Sequence, residues 1–342
     1  MKKAAILFNL GGPDKLENVE PFLFNLFNDQ AIINLPKIFR FPLAKLIANR
    51  RAPITKKIYE KLGGSSPILK LTMEQSEKLE KKLNESNNYD KYKCFVVMRC
   101  WHPRAAKIIN DVKLFNPEEI ILLPLYPQYS ASTSGSSIKE WNDVCKTNNY
   151  QTKTSIICCY PTDKNFIKAH ILEIKKKISD INNYKLIFSA HGLPEKNIKN
   201  GDPYQWQVEQ TVNEIVNLLD IKNLDWILSY QSRVGPLKWI GPSTDNIIIE
   251  NAKLGKYIVV VPIAFVSEHS ETLVELDIEY KKLAQKNGCN KYIRIPALGI
   301  SDAFIDSLSN LIINKDENRF NDNIFSPKNK CPSSFIKCPC QR

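Results

Sequence analysis

Residues 261–280 of this 342-residue chain, VPIAFVSEHSETLVELDIEY, hold its densest set of reactive side chains. The spacing predicts a strand over 259–263, a turn at Ser267 and then a helix. At about 100° per residue, Glu268, Glu271, Glu275 and Glu279 share one narrow stripe. Leu273, Leu276 and Tyr280 flank it on one side, Val274 and Ile278 on the other. His269 stands at its mouth. One histidine beside a row of carboxylates suits a divalent cation that is bound and then released. The plainer reading, slightly preferred on this segment alone, is a wet helical face whose first acids complement the helix dipole.

Two further groups stand out. His191, in Ser189-Ala190-His191-Gly192-Leu193-Pro194, follows a short apolar run, a place suited to acid–base or metal chemistry. A lone histidine is more often structural, which is the reading for His170. Near the end, CPSSFIKCPC brings together Cys331, Cys338 and Cys340. Three close thiols read as metal ligands, and Cys158 or Cys159 is the natural fourth. Spacing does not separate zinc from a [2Fe–2S] cluster.

These groups need a frame. Short β-rich runs at 4–10, 92–98, 119–124, 152–160, 185–190, 224–230, 256–265 and 291–296 alternate with amphipathic helical patterns. Such alternation predicts an α/β fold of parallel sheets covered by helices. Four strands on each side of residue 160 predict two similar doubly wound domains, each with a parallel four-stranded sheet. The expected division is 1–160, 161–325 and a Cys-rich tail, 326–342. Ligands of such sheets bind beyond the carboxyl ends of the strands. The first end, Asn9-Leu10-Gly11-Gly12-Pro13-Asp14, lacks a dinucleotide fingerprint. Arg99-Cys100-Trp101-His102-Pro103 follows the second. A Ser/Gly loop, 130–137, follows the third and has no Walker lysine. The sixth leads into Gln231-Ser232-Arg233 and on to Trp239. Together these ends outweigh the plain reading of each alone.

Residues 31–66 form an excursion that is apolar and basic together, with Ile38, Phe39, Phe41 and Leu46 beside Arg40, Lys45, Arg50 and Arg51. One reading is a pair of core helices with solvated lysines. The other is a lip that touches lipid or admits an apolar anionic ligand. Arg51, Tyr59 and Ser66 would then offer carboxylate-binding groups. The net charge of +12 fits anionic partners, and nucleic acid is the weakest of them because no aromatic–basic signature is present. No apolar run of about 20 residues predicts a membrane span. The first residues run straight into a strand with no signal peptide, so a cytoplasmic protein is expected, and its nine cysteines read as reduced thiols or metal ligands.

The segments FNLGGPDKLENV, RRAPITKKIYEKLGGSSPI, YPQYSASTSGSS, FSAHGLPEK, YQSRVGPLKWIGPSTD and VPIAFVSEHSETLVELDIEY, in this order, resemble ferrochelatase over nearly the whole chain. The resemblance implies insertion of Fe²⁺ into protoporphyrin IX, the terminal step of haem synthesis, in a cleft between two Rossmann-like domains. It implies that His191 and Glu271 act in metal binding or pyrrole proton removal. Glu268, His269, Glu275 and Glu279 match an acidic path behind them, on a helix that in this family can contain a π-turn. Arg51, Tyr59 and Ser66 match groups near the propionates; Leu10, Arg99, Ser130, Trp239 and Phe265 match the porphyrin-binding wall. The tail resembles that of cluster-bearing bacterial members, which implies a [2Fe–2S] cluster on Cys158, Cys331, Cys338 and Cys340. Peripheral contact with the inner membrane through the lip is a further expectation. Leu10 stands where some relatives carry Met, Cys100 where some carry Tyr or His, Gly192 for a frequent Ser, and Ala131 where animal members place a cluster cysteine. The alternatives weighed are a chelatase for Co²⁺ or another dication and a non-catalytic haem or porphyrin carrier.

Overall fold

The apolar runs become strands in the structure, a computed structural model that describes all residues except 87–88, 179–183, 234, 319–323, 326–330 and 342. The tail expected to begin at 326 therefore starts, as described, at Cys331. In chain order the strands are β1 (Lys2–Asn9), β2 (Lys91–Met98), β3 (Glu119–Pro124), β4 (Lys153–Ile157), β5 (Tyr184–His191), β6 (Trp226–Gln231), β7 (Tyr257–Pro262), β8 (Tyr292–Arg294) and β9 (Ile324–Phe325). Each of the eight expected strands is present. Their ends shift by a few residues, most at β4 and β7, where Cys158–Tyr160 and Ile263–Phe265 are irregular backbone.

The chain divides into two units, Met1–Cys159 with Leu308–Ser326, and Tyr160–Ser307 with Pro327–Arg342. The first holds a parallel sheet of order β2-β1-β3-β4-β9. Its fifth strand corrects the expected four, and residues 308–326 leave the expected second domain to supply it. The reason is local pairing: Ile324 and Phe325 lie beside Ile156 and Ile157, and the Cys158 N–H donates to the Phe325 oxygen at 3.1 Å. Both faces of the central strands are covered, so β1 and β3 read as continuous apolar runs rather than alternating ones. One face packs Ala4, Ile6, Phe8, Ile120 and Leu122 against the helices Ala105–Phe115 and Ser136–Thr147.

The excursion is not a pair of helices, and only one stripe of it reaches a core. Residues Lys37–Glu60 form one helix, with Pro42 and Pro53 inside it. It buries Ala44, Ala48 and Ala52, small residues that allow close approach to the Val19–Phe27 helix at Val19, Phe22 and Leu23, together with Tyr59. Its large apolar side chains point outward: Ile38 is 76% exposed, Phe39 64% and Ile54 67%.

The second unit holds a parallel sheet of order β6-β5-β7-β8. The register sets His191 beside Gln231 and Ser189 beside Pro262, so three strand tips meet at one edge of the sheet. Ile248, Ile258, Val260 and Leu276 pack one face. Among the described residues no helix is long and apolar enough to cross a membrane.

Candidate active site

The helix after β7 begins at Ser270, three residues past the expected turn at Ser267, and over Glu271–Glu279 it is a π-helix. The Tyr280 N–H donates to the oxygen of Glu275, five residues back. A π-turn takes about 4.4 residues instead of 3.6. Glu271 and Glu275 therefore stay almost in line, one turn apart. Glu268 precedes the helix and leaves the row: it accepts from Arg294 at 2.6 Å and from the Ala297 N–H at 2.9 Å. Arg294 also holds Asp277, at 2.7 Å. Glu279, at the far end, is exposed. Of the expected row of four, Glu271 and Glu275 meet His191, Glu268 leaves for Arg294, and Glu279 lies one turn further on at the exposed end.

That pair meets His191 from the tip of β5. His191 Nδ1 lies 2.8 Å from Glu271 Oε2. The imidazole is half-exposed, and the rings of Trp239 and Phe265 approach it edge-on at 6.4 and 6.5 Å. With Nδ1 engaged, Nε2 is the atom left for a ligand. Desolvation pulls the His191 pKa down, but the charge and hydrogen bond of Glu271, backed by Glu275, carry it above its ordinary value. Burial works on Glu271 in the opposite sense and is likewise outweighed by the His191 charge and hydrogen bond, so its pKa is lowered. His269, buried and packed against Phe265 with ring centroids 4.5 Å apart, is held towards the neutral form by burial. Its Nδ1 has no hydrogen-bond partner among the described residues.

Ser232 joins the two carboxylates, and nothing in the sequence pointed to it beyond its place after β6. Its backbone is left-handed, with φ +62°. That geometry turns its N–H onto Glu275 Oε1 at 3.0 Å and its hydroxyl onto Glu271 Oε2, at 3.0 Å, and Glu275 Oε2. A hydroxyl has one proton to donate, so it serves the two carboxylates one at a time. Burial, then the charge of Glu271, raise the Glu275 pKa above its ordinary value. Gln231 Nε2 at 3.3 Å and the Tyr280 hydroxyl at 2.9 Å complete the cage around Glu275. The series His191, Glu271, Ser232, Glu275 is a continuous hydrogen-bonded route for a proton.

The remaining expected residues lie in the first unit. Leu10 and Tyr59 share an apolar cluster with Cys100 and Trp101. Arg51 stands over the ring of Phe27, which packs on the same cluster, at 5.9 Å; burial lowers its pKa. Ser66 donates its N–H to the Pro13 oxygen at 2.8 Å and sits directly over Gly12, where a β-carbon would come within 2.4 Å of its Oγ. Arg99 is spent within the fold: it pairs with Asp29 at 2.8 Å, donates from Nε to Ser136 at 2.7 Å and lies 3.6 Å from Glu140. Ser130 caps the turn Ala131–Gly135 by accepting from the Ser132 N–H.

Of the cysteines, Cys158 and Cys159 are buried in the first unit, with their sulfurs 3.5 Å apart. Cys331, Cys338 and Cys340 are buried in the second, where Gln207 Nε2 donates to the Cys331 sulfur at 3.2 Å. The hydrogen bond with Cys338, then burial, push the Cys331 pKa up. Among the described residues no three His, Cys, Asp or Glu side chains converge as a metal-binding group.

A profile of the ferrochelatase family matches residues 2–316. A ferrochelatase from Pelagibacter ubique (strain HTCC1062) is 73% identical over 340 residues, covering 99% of both chains. One from Rickettsia felis (strain ATCC VR-1525 / URRWXCal2) is 49% identical over 349 residues, covering 100% of this chain and 99% of the relative. Among solved structures, SirB from Bacillus subtilis with Fe³⁺ superposes with a TM-score of 0.53 at 14% identity, covering 94% of this chain and 99% of that one. At that identity the superposition speaks for the fold alone: two parallel-sheet α/β halves.

Proposed function

The chain belongs to the ferrochelatase family and inserts ferrous iron into protoporphyrin for haem synthesis, and from that premise we propose how its residues divide the work. Metalation exchanges two pyrrole protons for Fe²⁺, so the site must accept protons where a dication enters. We assign proton removal and metal contact to His191 with Glu271, and onward proton transfer to Glu275 through Ser232. One observation carries this assignment: the 2.8 Å His191–Glu271 pair continues through the Ser232 hydroxyl to Glu275. In the base-competent state the imidazole is neutral, Nδ1–H faces Glu271, and Nε2 takes the pyrrole proton. The resulting imidazolium is stabilised by the Glu271 carboxylate. The proton then passes from Nδ1 to Glu271 as Ser232 and Glu275 relay onward. Glu268, held by Arg294, stands outside this route, and Glu279, one turn beyond Glu275, is its exposed end.

Porphyrin binding is assigned to Leu10, Arg51, Tyr59, Ser66, Arg99 and Ser130 on the first unit and Trp239 and Phe265 on the second. Arg51, Tyr59 and Ser66 take the propionates. Arg99, already paired with Asp29, contributes shape rather than a free charge. Anaerobic mixing of protein, protoporphyrin and Fe²⁺, with Co²⁺ and Zn²⁺ in parallel, is expected to quench porphyrin fluorescence catalytically. His191→Ala should bind porphyrin and turn over at least about a hundredfold more slowly. Stoichiometric quenching without turnover in the wild type would favour a carrier.

The protein is assigned to the cytoplasm, touching an anionic membrane through the Lys37–Glu60 helix. The support is its outward Ile38, Phe39 and Ile54 beside Arg40 and Lys45. Charge reversal at Arg40 and Lys45 should abolish co-sedimentation with anionic liposomes. Unchanged sedimentation refutes the basic lip. For the tail, the donor chemistry of three buried thiols supports a [2Fe–2S] cluster on Cys331, Cys338 and Cys340 with Cys158. A visible iron–sulfur spectrum lost in Cys338→Ser supports the cluster; colourless protein containing zinc refutes it.

A further inference from the structure

Tyr204 opens the helix Tyr204–Leu219 and is buried, and its hydroxyl donates to the backbone oxygen of His191 at 3.0 Å. It is tied to the turn before it by Asp202, whose carboxylate accepts the Tyr204 N–H at 3.1 Å. The same turn is gripped from outside by the C-terminal segment. The Lys337 N–H donates to the Gly201 oxygen at 3.1 Å. Gly201 has φ +86°, and a β-carbon there would lie 2.6 Å from Ile336 Cγ1 and 3.0 Å from Ile336 N, so only glycine admits this approach. Phe335 packs its ring on Trp206 at 6.1 Å. A segment far away in sequence thus closes over residues 201–206, and the next contact inward is the tip of β5.

We propose that residues 335–337 act as a strap that sets the position of His191 through Tyr204, which makes Tyr204 a positioning residue. This rests on His191 being the group that acts at the porphyrin. The strap works through a ring, an aliphatic side chain and a backbone N–H, not through the tail sulfurs. It gives the tail a role in catalysis whatever those sulfurs hold. Loosening it releases the turn, then the Tyr204 hydroxyl, then the strand tip that carries the imidazole.

The test uses the 342-residue protein. The double variant Phe335→Ala/Ile336→Ala keeps every cysteine, and Tyr204→Phe removes only the hydroxyl. With labelled histidine, the chain's four imidazoles are resolved by NMR, and His191 is assigned from the spectrum of His191→Gln. Both variants are expected to move the His191 resonance and to lower kcat about tenfold, with KM for porphyrin and Fe²⁺ unchanged. Combining them should bring no further loss, because both cut one linkage. An unmoved His191 resonance in the double variant, or losses that multiply, overturns the strap. Urea unfolding verifies that the variants are folded, and Phe335→Leu/Ile336→Val serves, with a smaller expected shift, if the double alanine variant is not. Full turnover in His191→Ala refutes the role of His191, while the resonance shift still decides the strap.

Discussion

Ser232 offers a test in which stability and turnover should part company. Ser232→Gly removes the hydroxyl, keeps the N–H that holds Glu275 and suits the left-handed backbone at φ +62°. Ser232→Ala removes the hydroxyl and keeps the β-carbon that the conformation disfavours. Losing a hydrogen bond to a charged group costs about 1.5–3 kcal/mol. A non-glycine residue in the left-handed region costs about 1–2 kcal/mol, which glycine recovers less about 0.5–1 kcal/mol of unfolded-state entropy. Alanine should therefore destabilise by about 1.5–3 kcal/mol, and glycine by roughly 1 kcal/mol less. Turnover should not follow that order, because the relay between Glu271 and Glu275 is broken in both; each should lose about a hundredfold in kcat. Urea midpoints at constant m-value give the first comparison, anaerobic loss of porphyrin fluorescence the second. A glycine variant with wild-type kcat refutes the relay. An alanine variant as stable as the glycine one refutes the backbone argument.

Other outcomes follow from the same contacts. The Glu271 pKa lies below its ordinary 4.5, so its stabilising share is present above pH 4.5 and fades as pH falls through the lowered value. The His191 pKa lies above its ordinary 6.5, so its share is full below pH 6.5 and is lost as pH rises through the raised value. The stability gap between wild type and Glu271→Ala should peak between pH 4.5 and 6.5; a gap that is flat across pH 3–9 contradicts the pair. His170, buried against Phe166 at 4.8 Å, has its pKa pushed down to about 3 by desolvation. Its unfolded form gains a proton first on acidification, so wild-type stability falls from pH 6.5 towards pH 3 by at most about 5 kcal/mol from this group. His170→Phe should flatten that slope in urea titrations. Gly12→Ala forces a β-carbon to 2.4 Å from Ser66 Oγ, and about 1–3 kcal/mol of overpacking with weaker porphyrin binding, read by fluorescence quenching, is expected. Arg294→Met leaves Glu268 and Asp277 unpaired and should cost about 3–5 kcal/mol of unfolding free energy by urea titration.

The chain's own residues determined the alternation of strand and helix and the sites at strand tips. A strand buried on both faces has to be a continuous apolar run, and turn residues end it, so β1 to β8 were visible in one dimension. Strand β9 was not: two residues carry no period, and pairing with β4 alone makes them a strand. The Glu271–Glu275 spacing also survived, because a π-turn keeps residues four apart nearly in line. Glu268 did not keep its place, since where a helix starts depends on how the preceding loop packs, and Arg294, 26 residues on, claimed its carboxylate. The outward apolar face of Lys37–Glu60 was undecidable from composition, because an alanine stripe and a leucine–phenylalanine stripe are both hydrophobic and only the neighbouring Val19–Phe27 helix selects the small one. Ser232 depended on a single backbone angle, and Tyr204 on a turn held by a segment about 130 residues away. Types and spacings are properties of the chain; which proton meets which oxygen is a property of contacts between distant segments, and only the folded molecule has those.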